Sequence, residues 1–248
     1  MFAVPKKTCM ELLEQNKLFL HNCDNMEFMA KIPDKYFELA IVDPPFGIKA
    51  SVQNQSSSKI KGRKNSIVER STFKSKDWDN EIPTKEYFDE LFRISENQII
   101  WGGNYFTDYL KPTNGWVVWN KMQSLETRSD GEMAWTSFKK PLAILPLLHD
   151  GFKRAQNVGY NQPVIYNVPY SGKQTIHPTQ KPIALYKWLL SKYAKQGDKI
   201  FDSHLGSMSS VIAAYEMGFE IHGCELDAEY FEAGKNRVIT HLRQLKIF

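Results

Sequence analysis

The 248-residue chain has a formal net charge of +4, with 42% hydrophobic, 24% charged and 13% aromatic residues. That balance fits a single folded core with at most a small appendage and excludes an intrinsically disordered chain. The three cysteines, Cys9, Cys23 and Cys224, form no CxxC pair, and the six histidines have no HExxH spacing, so neither a disulfide scaffold nor a metal is expected. The opening MFAVPKKTCMELLEQN lacks the apolar run of a signal peptide or membrane span, which points to a cytoplasmic protein.

Residues 11–40 alternate helix-like and short apolar pieces. The stretch Leu39-Ala40-Ile41-Val42 reads as a buried strand that stops at Asp43-Pro44-Pro45, because a prolyl pair cannot continue a central strand. The strand end therefore carries an acid at the edge where ligands bind in open α/β sheets. Residues 49–80 change character. Between Lys49 and Lys76 there are eight Lys or Arg residues and one acid, Glu69, with no hydrophobic period. This reads as a basic, flexible loop. Residues 84–96 fit an amphipathic helix with Tyr87, Leu91 and Ile94 on one face and Thr84 as its cap. Strands are expected at 98–101, 115–119 and 133–138, and residues 157–174 are broken by Pro163, Pro169 and Gly172.

The last third is the most regular. Pro182 opens a helix running to about Tyr193. A turn at Gly197-Asp198 feeds a strand ending at Asp202, and a helix over Ser209–Met217 stops at Gly218. A strand from Glu220 ends at Glu225, and a closing helix runs from Ala228 to Leu242. Strand, turn, helix, strand, helix is half of a doubly wound nucleotide-binding fold.

Two constellations carry chemistry. The small-residue turn after Asp202 would let a ligand approach the backbone, and Glu225, 23 residues on, stands where a carboxylate can accept both hydroxyls of an adenosyl ribose. The turn lacks GxGxxG and its acid would repel a pyrophosphate, whereas a sulfonium cofactor with an α-amino group suits it. Equally, Asp202 could simply cap the turn. In Asp43-Pro44-Pro45-Phe46, the Asp43 carboxylate and the Pro44 carbonyl can accept both N–H groups of an exocyclic base amine and favour a more tetrahedral nitrogen. The prolines would fix those acceptors before reaction, and Phe46 offers a face on which a base can stack.

Together these residues resemble the amino-methyltransferases of DNA, in the class whose catalytic motif precedes the cofactor motif. Asp43–Phe46 matches its (Asp/Asn/Ser)-Pro-Pro-(Tyr/Phe) motif. His177-Pro178-Thr179-Gln180-Lys181-Pro182 matches a stretch before the cofactor strand, Phe201–Ser210 matches the cofactor turn in part, and Glu225 matches the ribose-binding acid. The resemblance implies an α/β fold with a mostly parallel seven-stranded sheet and helices on both faces. It implies S-adenosylmethionine as cofactor, held by Asp202, His204, Gly206, Ser207, Glu225, His177, Thr179 and Lys181. It also implies a flipped base in double-stranded DNA and, from the Asp form of the motif, adenine N6 as the target. Trp101–Phe106 resembles a stretch of phage-associated members, and a restriction-modification setting is expected. The cofactor turn departs from the family pattern. Ser203 and His204 replace Pro and Phe, and Met208 stands where a second glycine is expected. If that position needs positive φ, Met208 strains it or crowds the cofactor; on a first helical turn its side chain would point away. His204 would pack beside the adenosine or fill the core.

The chain reads as one methyltransferase domain over 1–248, with residues 49–80 as a DNA-facing loop and 122–174 as a small recognition insert. Lys59, Lys61, Arg63, Lys64 and Arg70 are the candidate phosphate contacts. A homodimer is compatible with this reading. The rival readings are cytosine N4, RNA or a protein glutamine as the methylated group, and a degenerate relative that binds DNA without catalysis.

Overall fold

The computed structural model describes residues 8–48, 60–61, 67–68, 79–123, 129–148 and 176–244. In chain order the elements are α1 (Cys9–Gln15), β1 (Leu18–His21), α2 (Asn25–Met29), β2 (Phe37–Val42), β3 (Ile60–Lys61), β4 (Ile67–Val68), α3 (Lys85–Ile94) and β5 (Ser95–Trp101). A 3-10 turn at Gly103–Tyr105 follows, then β6 (Trp116–Asn120), β7 (Gly131–Thr136), β8 (Ala143–Pro146), α4 (Ile183–Tyr193), β9 (Lys199–Asp202), α5 (Ser209–Met217), β10 (Glu220–Cys224) and α6 (Ala228–Arg243).

Eight strands form one sheet in the order β1-β10-β9-β2-β5-β7-β6-β8, and β3 pairs with β4 in a separate antiparallel ribbon. Within the main sheet only the two pairings of β7 are antiparallel. The sheet thus has one strand more than the seven expected. The edge strand β8 lies in the apolar run Pro141–Leu148, whose sequence shows no alternation although its burial alternates along Ala143–Pro146. Within the expected 122–174 insert, residues 131–136 and 143–146 are strands of this sheet. The remaining part of that segment, 149–174, lies outside the described residues.

Burial on both faces explains the near-continuous apolar run of β2, where five of six residues are buried. Alternate side chains go to opposite layers. Leu39 and Ile41 join Leu13 of α1, Leu185 and Leu189 of α4, Ile212 of α5 and Val238 of α6. Ala40 and Val42 join Met29 of α2 and Tyr87, Phe88, Leu91 and Ile94 of α3. Each fully buried aliphatic or aromatic side chain contributes about 1.5–3 kcal/mol relative to exposure. The amphipathic stripe of α3 follows the expected spacing, although the side chain of Thr84 at its N-cap accepts no backbone N–H of the first turn. Helix α5 ends at Gly218 with φ +75°, the left-handed conformation the sequence calls for there. Among the described residues no helix is long and apolar enough to cross a membrane.

The topology places the site. Strands β2 and β9 are neighbours, yet the chain leaves β2 toward β5 on one side and leaves β9 toward β10 on the other. This reversal opens a crevice beyond the carboxyl ends of the two strands, and Asp43 and Asp202 stand at those ends.

Candidate functional site: two cavities meeting at Asp43

On the β9–β10 side the crevice forms a cavity of about 800 Å³. Its walls include His177, Thr179, Lys181, His204, Gly206, Ser207 and Glu225, all of them residues the sequence assigns to the cofactor. Glu225 is fixed from both ends: Oε2 accepts the Gly206 N–H at 2.8 Å and Oε1 accepts the Asp227 N–H at 2.9 Å. Two charge-assisted backbone bonds of this kind pin a carboxylate before any ligand arrives. His177 Nδ1 lies 3.1 Å from Thr179 Oγ1, and its ring meets Tyr230 edge-on at 4.5 Å.

Asp202 stands apart from its sequence assignment. It is 1% exposed and does not line the cavity. Its Oδ1 accepts the His204 N–H at 3.1 Å and its Oδ2 accepts the Ser210 hydroxyl at 2.6 Å. It therefore ties the turn to the first residues of α5, which is the capping alternative. Burial pushes its carboxyl up to about 7, against the pull of those two hydrogen bonds.

Both readings of Met208 meet in one conformation. The residue adopts φ 57° and ψ 32° at the N-cap of α5, so the position does demand the left-handed region. That costs a non-glycine residue about 1–2 kcal/mol. Yet the side chain is fully buried and is absent from the cavity wall. It turns beneath α6 onto Gly234, where a Cβ would come within 2.8 Å of Met208 Cγ and 3.0 Å of its Sδ. The glycine missing from the turn is matched by a glycine inside the facing helix, and the cavity stays open.

His204 lines the cavity and is half-buried. It belongs to a polar chain, with Asn25 Nδ2 at 3.1 Å from its Nε2, Ser203 Oγ at 2.8 Å from its Nδ1, and Tyr87 OH at 2.6 Å from Ser203 Oγ. Burial pushes the imidazole down to about 4, so it is neutral at physiological pH. Asn25 and Tyr87 carry no sequence signal for this role, because they come from α2 and α3, far away in the chain.

The second cavity, of about 430 Å³, lies on the other side of Asp43, bounded by Pro44, Pro45, Phe46, Asn104, Tyr105, Lys121 and Glu132. Asp43, Pro45, Thr179 and Lys181 line both cavities. The Phe46 ring stacks on Tyr105 with centroids 5.2 Å apart and planes 15° apart. Gly102, at φ +69°, makes that ring position possible: a Cβ there would sit 2.2 Å from Phe46 Cε1. The turn is held from behind by Asp79, 1% exposed, whose Oδ1 accepts the N–H groups of Phe46 at 2.7 Å and Gly47 at 3.0 Å. The sequence does not single out Asp79, since it follows a long polar segment without any pattern.

Lys181, grouped with the cofactor residues by sequence, donates to Asp43 Oδ2. Asp43 Oδ1 is buried and has no hydrogen-bond partner among the described residues. Lys181 Nζ also lies 3.1 Å from Glu132 Oε2, and Lys121 Nζ lies 2.7 Å from Glu132 Oε1. Of the proposed phosphate contacts, Lys59, Arg63, Lys64 and Arg70 fall outside the described residues, and Lys61 is described only as backbone of β3.

With this geometry in place, the chain matches the N6_N4_Mtase family, described as DNA methylase, over residues 6–236. It belongs to that family. The methylase is 22% identical over 255 residues to the Type II methyltransferase M2.DpnII of Streptococcus pneumoniae, covering 90% of each chain. A shorter stretch of 62 residues is 36% identical to the DNA adenine methyltransferase YhdJ of Escherichia coli (strain K12), covering 25% of this chain and 21% of that one. Among solved structures, the M1.HpyAVI–SAM complex superposes with a TM-score of 0.52 at 19% identity, covering 89% of this chain and 98% of that one. The cytosine-N4-specific PvuII DNA methyltransferase gives 0.51 at 11% identity, covering 90% and 91%. At these identities the two likenesses show a shared Rossmann-like methyltransferase fold. The methylase is accordingly a DNA amino-methyltransferase of the N6/N4 type.

Proposed function

We propose that this methylase transfers the methyl group of S-adenosyl-L-methionine to the exocyclic amine of a base flipped out of double-stranded DNA, and that the base is adenine, modified at N6. The observation that carries the reading is Asp43, which borders both cavities and keeps one buried oxygen without a partner among the described residues.

The residues of the larger cavity fit the cofactor. Its volume of about 800 Å³ is in the range of small-molecule sites, and the fixed Glu225 carboxylate would accept the ribose hydroxyls. Gly206 and Ser207 would face the amino-acid part, with His177 and Thr179 closing the opposite wall. When bound, S-adenosylmethionine supplies an electrophilic methyl group on sulfur. Asp43 Oδ1 accepts one N–H of the target amine and the Pro44 carbonyl accepts the other, which localises the nitrogen lone pair and orients it. Phe46 gives the base a stacking face. Lys59, Lys61, Arg63, Lys64 and Arg70 would bind phosphates, giving salt-sensitive affinity for duplex DNA.

Two lines support adenine over cytosine: the Asp form of the motif, and the 36% identical stretch shared with a DNA adenine methyltransferase. The test is to incubate the protein with unmethylated duplex DNA and methyl-labelled S-adenosylmethionine, digest to nucleosides and identify the labelled base. The expected product is N6-methyladenine. Label in N4-methylcytosine would overturn the base assignment, and no label in any DNA nucleoside would overturn the substrate class.

A further inference from the structure

The carboxylate at the junction of the two cavities is one end of a chain of alternating charges: Asp43, Lys181, Glu132, Lys121. These four groups come from four places in the sequence: the turn after β2, the segment before α4, β7 itself, and the residue after β6. Lys181 is 4% exposed and its ammonium lies between two carboxylates, with the Trp101 ring centroid 5.3 Å away and that of Phe46 5.6 Å away. A buried ion is tolerated only when it is paired, and removing one partner leaves an uncompensated charge. Here the four formal charges cancel.

The reaction puts a demand on Asp43 that burial opposes. Ionised, the carboxylate offers Oδ1 as an acceptor for an N–H of the target amine; protonated at Oδ1, with Lys181 donating to Oδ2, it would present a donor to a nitrogen that must keep its lone pair free. Burial raises its pKa, and Lys181 is the group that opposes the rise. Among the described residues Glu132 and Asp79 add to the rise through their negative charge. Asp202, Tyr186 and Tyr87, from β9, α4 and α3, are the other described titratable groups that feel its charge. Lys181 itself would lose its proton through burial, but Asp43 and Glu132 outweigh that and keep it charged. Glu132, which burial alone would push up, is held down to about 2 by Lys181 and Lys121.

We infer that Lys181 is the positioning residue that keeps Asp43 an ionised acceptor, occupying Oδ2 so that Oδ1 is left for the amine, while Glu132 and Lys121 hold the ammonium from the far side. The inference rests on the proposed methyl transfer at Asp43. It makes Glu132, which no sequence pattern singles out, a determinant of the pH at which the enzyme works.

The test is the pH dependence of single-turnover methyl transfer to duplex DNA at saturating S-adenosylmethionine, in wild type, Lys181→Met and Glu132→Gln, with donor affinity measured by calorimetry. Removing the cation should move the acid limb of the rate profile up by about one pH unit or more, the size expected for loss of an opposite charge at contact distance. Removing the like charge at Glu132 should move the limb down. Opposite displacements of one limb are a signature that loss of packing does not produce. Slower transfer in both variants with the limb unmoved would overturn the inference. So would a loss of donor affinity in Lys181→Met with the limb unmoved, which would return Lys181 to the cofactor. If Lys181→Met fails to fold, the downward displacement in Glu132→Gln decides alone, and a limb that stays put or rises there rejects the inference. Wild type that methylates no base would instead overturn the proposed function, before either variant is compared.

Discussion

The two cavities that meet at Asp43 are organised by different forces. The larger is a wall of backbone amides and a carboxylate already bonded to them: Glu225 holds the N–H groups of Gly206 and Asp227, and Asp202 holds the turn. Most of its fixed bonds come from neighbouring strands and the turn between strand and helix, with Asn25 and His177 added to the wall from distant segments. The smaller is organised by side-chain charges from distant segments, Lys181 between Asp43 and Glu132 with Lys121 beyond, and by a turn pinned through Asp79. The first resembles a preformed mould. The second works as a balance, in which each charge sets the state of the next. Changes in the first should act mainly on affinity, and changes in the second on rate and its pH dependence.

The sharpest way to break this contrast is Asp43→Ala. It should lower single-turnover methyl transfer about a thousandfold, the scale for losing a preorganised polar group at the reacting centre, while calorimetric binding of the methyl donor changes little. A comparable loss of donor affinity would erase the division between the cavities. Next in size is Glu225→Ala. Losing charge-assisted hydrogen bonds of about 1.5–3 kcal/mol should weaken donor binding by about ten- to a hundredfold, with transfer at saturating donor close to wild type.

A third test probes how the mould tolerates Met208. Gly234→Ala should lower thermal stability by about 1 kcal/mol: overpacking against Met208 of about 1–3 kcal/mol exceeds the gain of up to about 1 kcal/mol from alanine in a helix. In a Met208→Gly background the same substitution should become less destabilising, because the contacts with Met208 are gone while one of 3.1 Å to the Gly206 carbonyl oxygen and the helical gain remain. Additive effects, read from paired melting curves, would show that the two residues are not coupled.

The smallest expected effect concerns Asp202. Its folded-state pKa of about 7 lies above the usual carboxylate value, so between those values the folded chain binds more protons than the unfolded one. Stability then falls as pH rises through that window. Asp202→Asn should leave the melting temperature unchanged in acid and raise it by a few degrees above neutrality, flattening the pH profile of the cofactor-free protein. An unaltered profile would mean that the turn carboxylate is ionised throughout.

Much of the mould was legible in the sequence. The apolar run into Asp43, the strand ending at Asp202, the helix stopped by Gly218 and the strand ending before Glu225 all stand where composition and turn chemistry put them. Each of these signals is local: a prolyl pair, a glycine at positive φ, an apolar run between turns. The short opening elements α1, β1 and α2, and the edge strand β8, bury too few residues to leave a period. The charge balance was legible only in its first two members, since Asp43 and Lys181 sit in recognisable motifs. Glu132 and Lys121 sit in no motif, and β7 begins two residues before the expected strand.

The sequence by itself determined the α/β class, the acids at the strand ends and the small-residue turn, because short-range sterics and hydrophobic patterning fix such features within a few residues. Only the tertiary structure decided that β2 and β9 are neighbours at the reversal of the sheet, that Asp202 serves the turn while Lys181 serves Asp43, and that Met208 finds its space over Gly234. Those outcomes depend on which distant surfaces are brought within ångströms of one another, and on the requirement that every charge taken from water there meet its opposite.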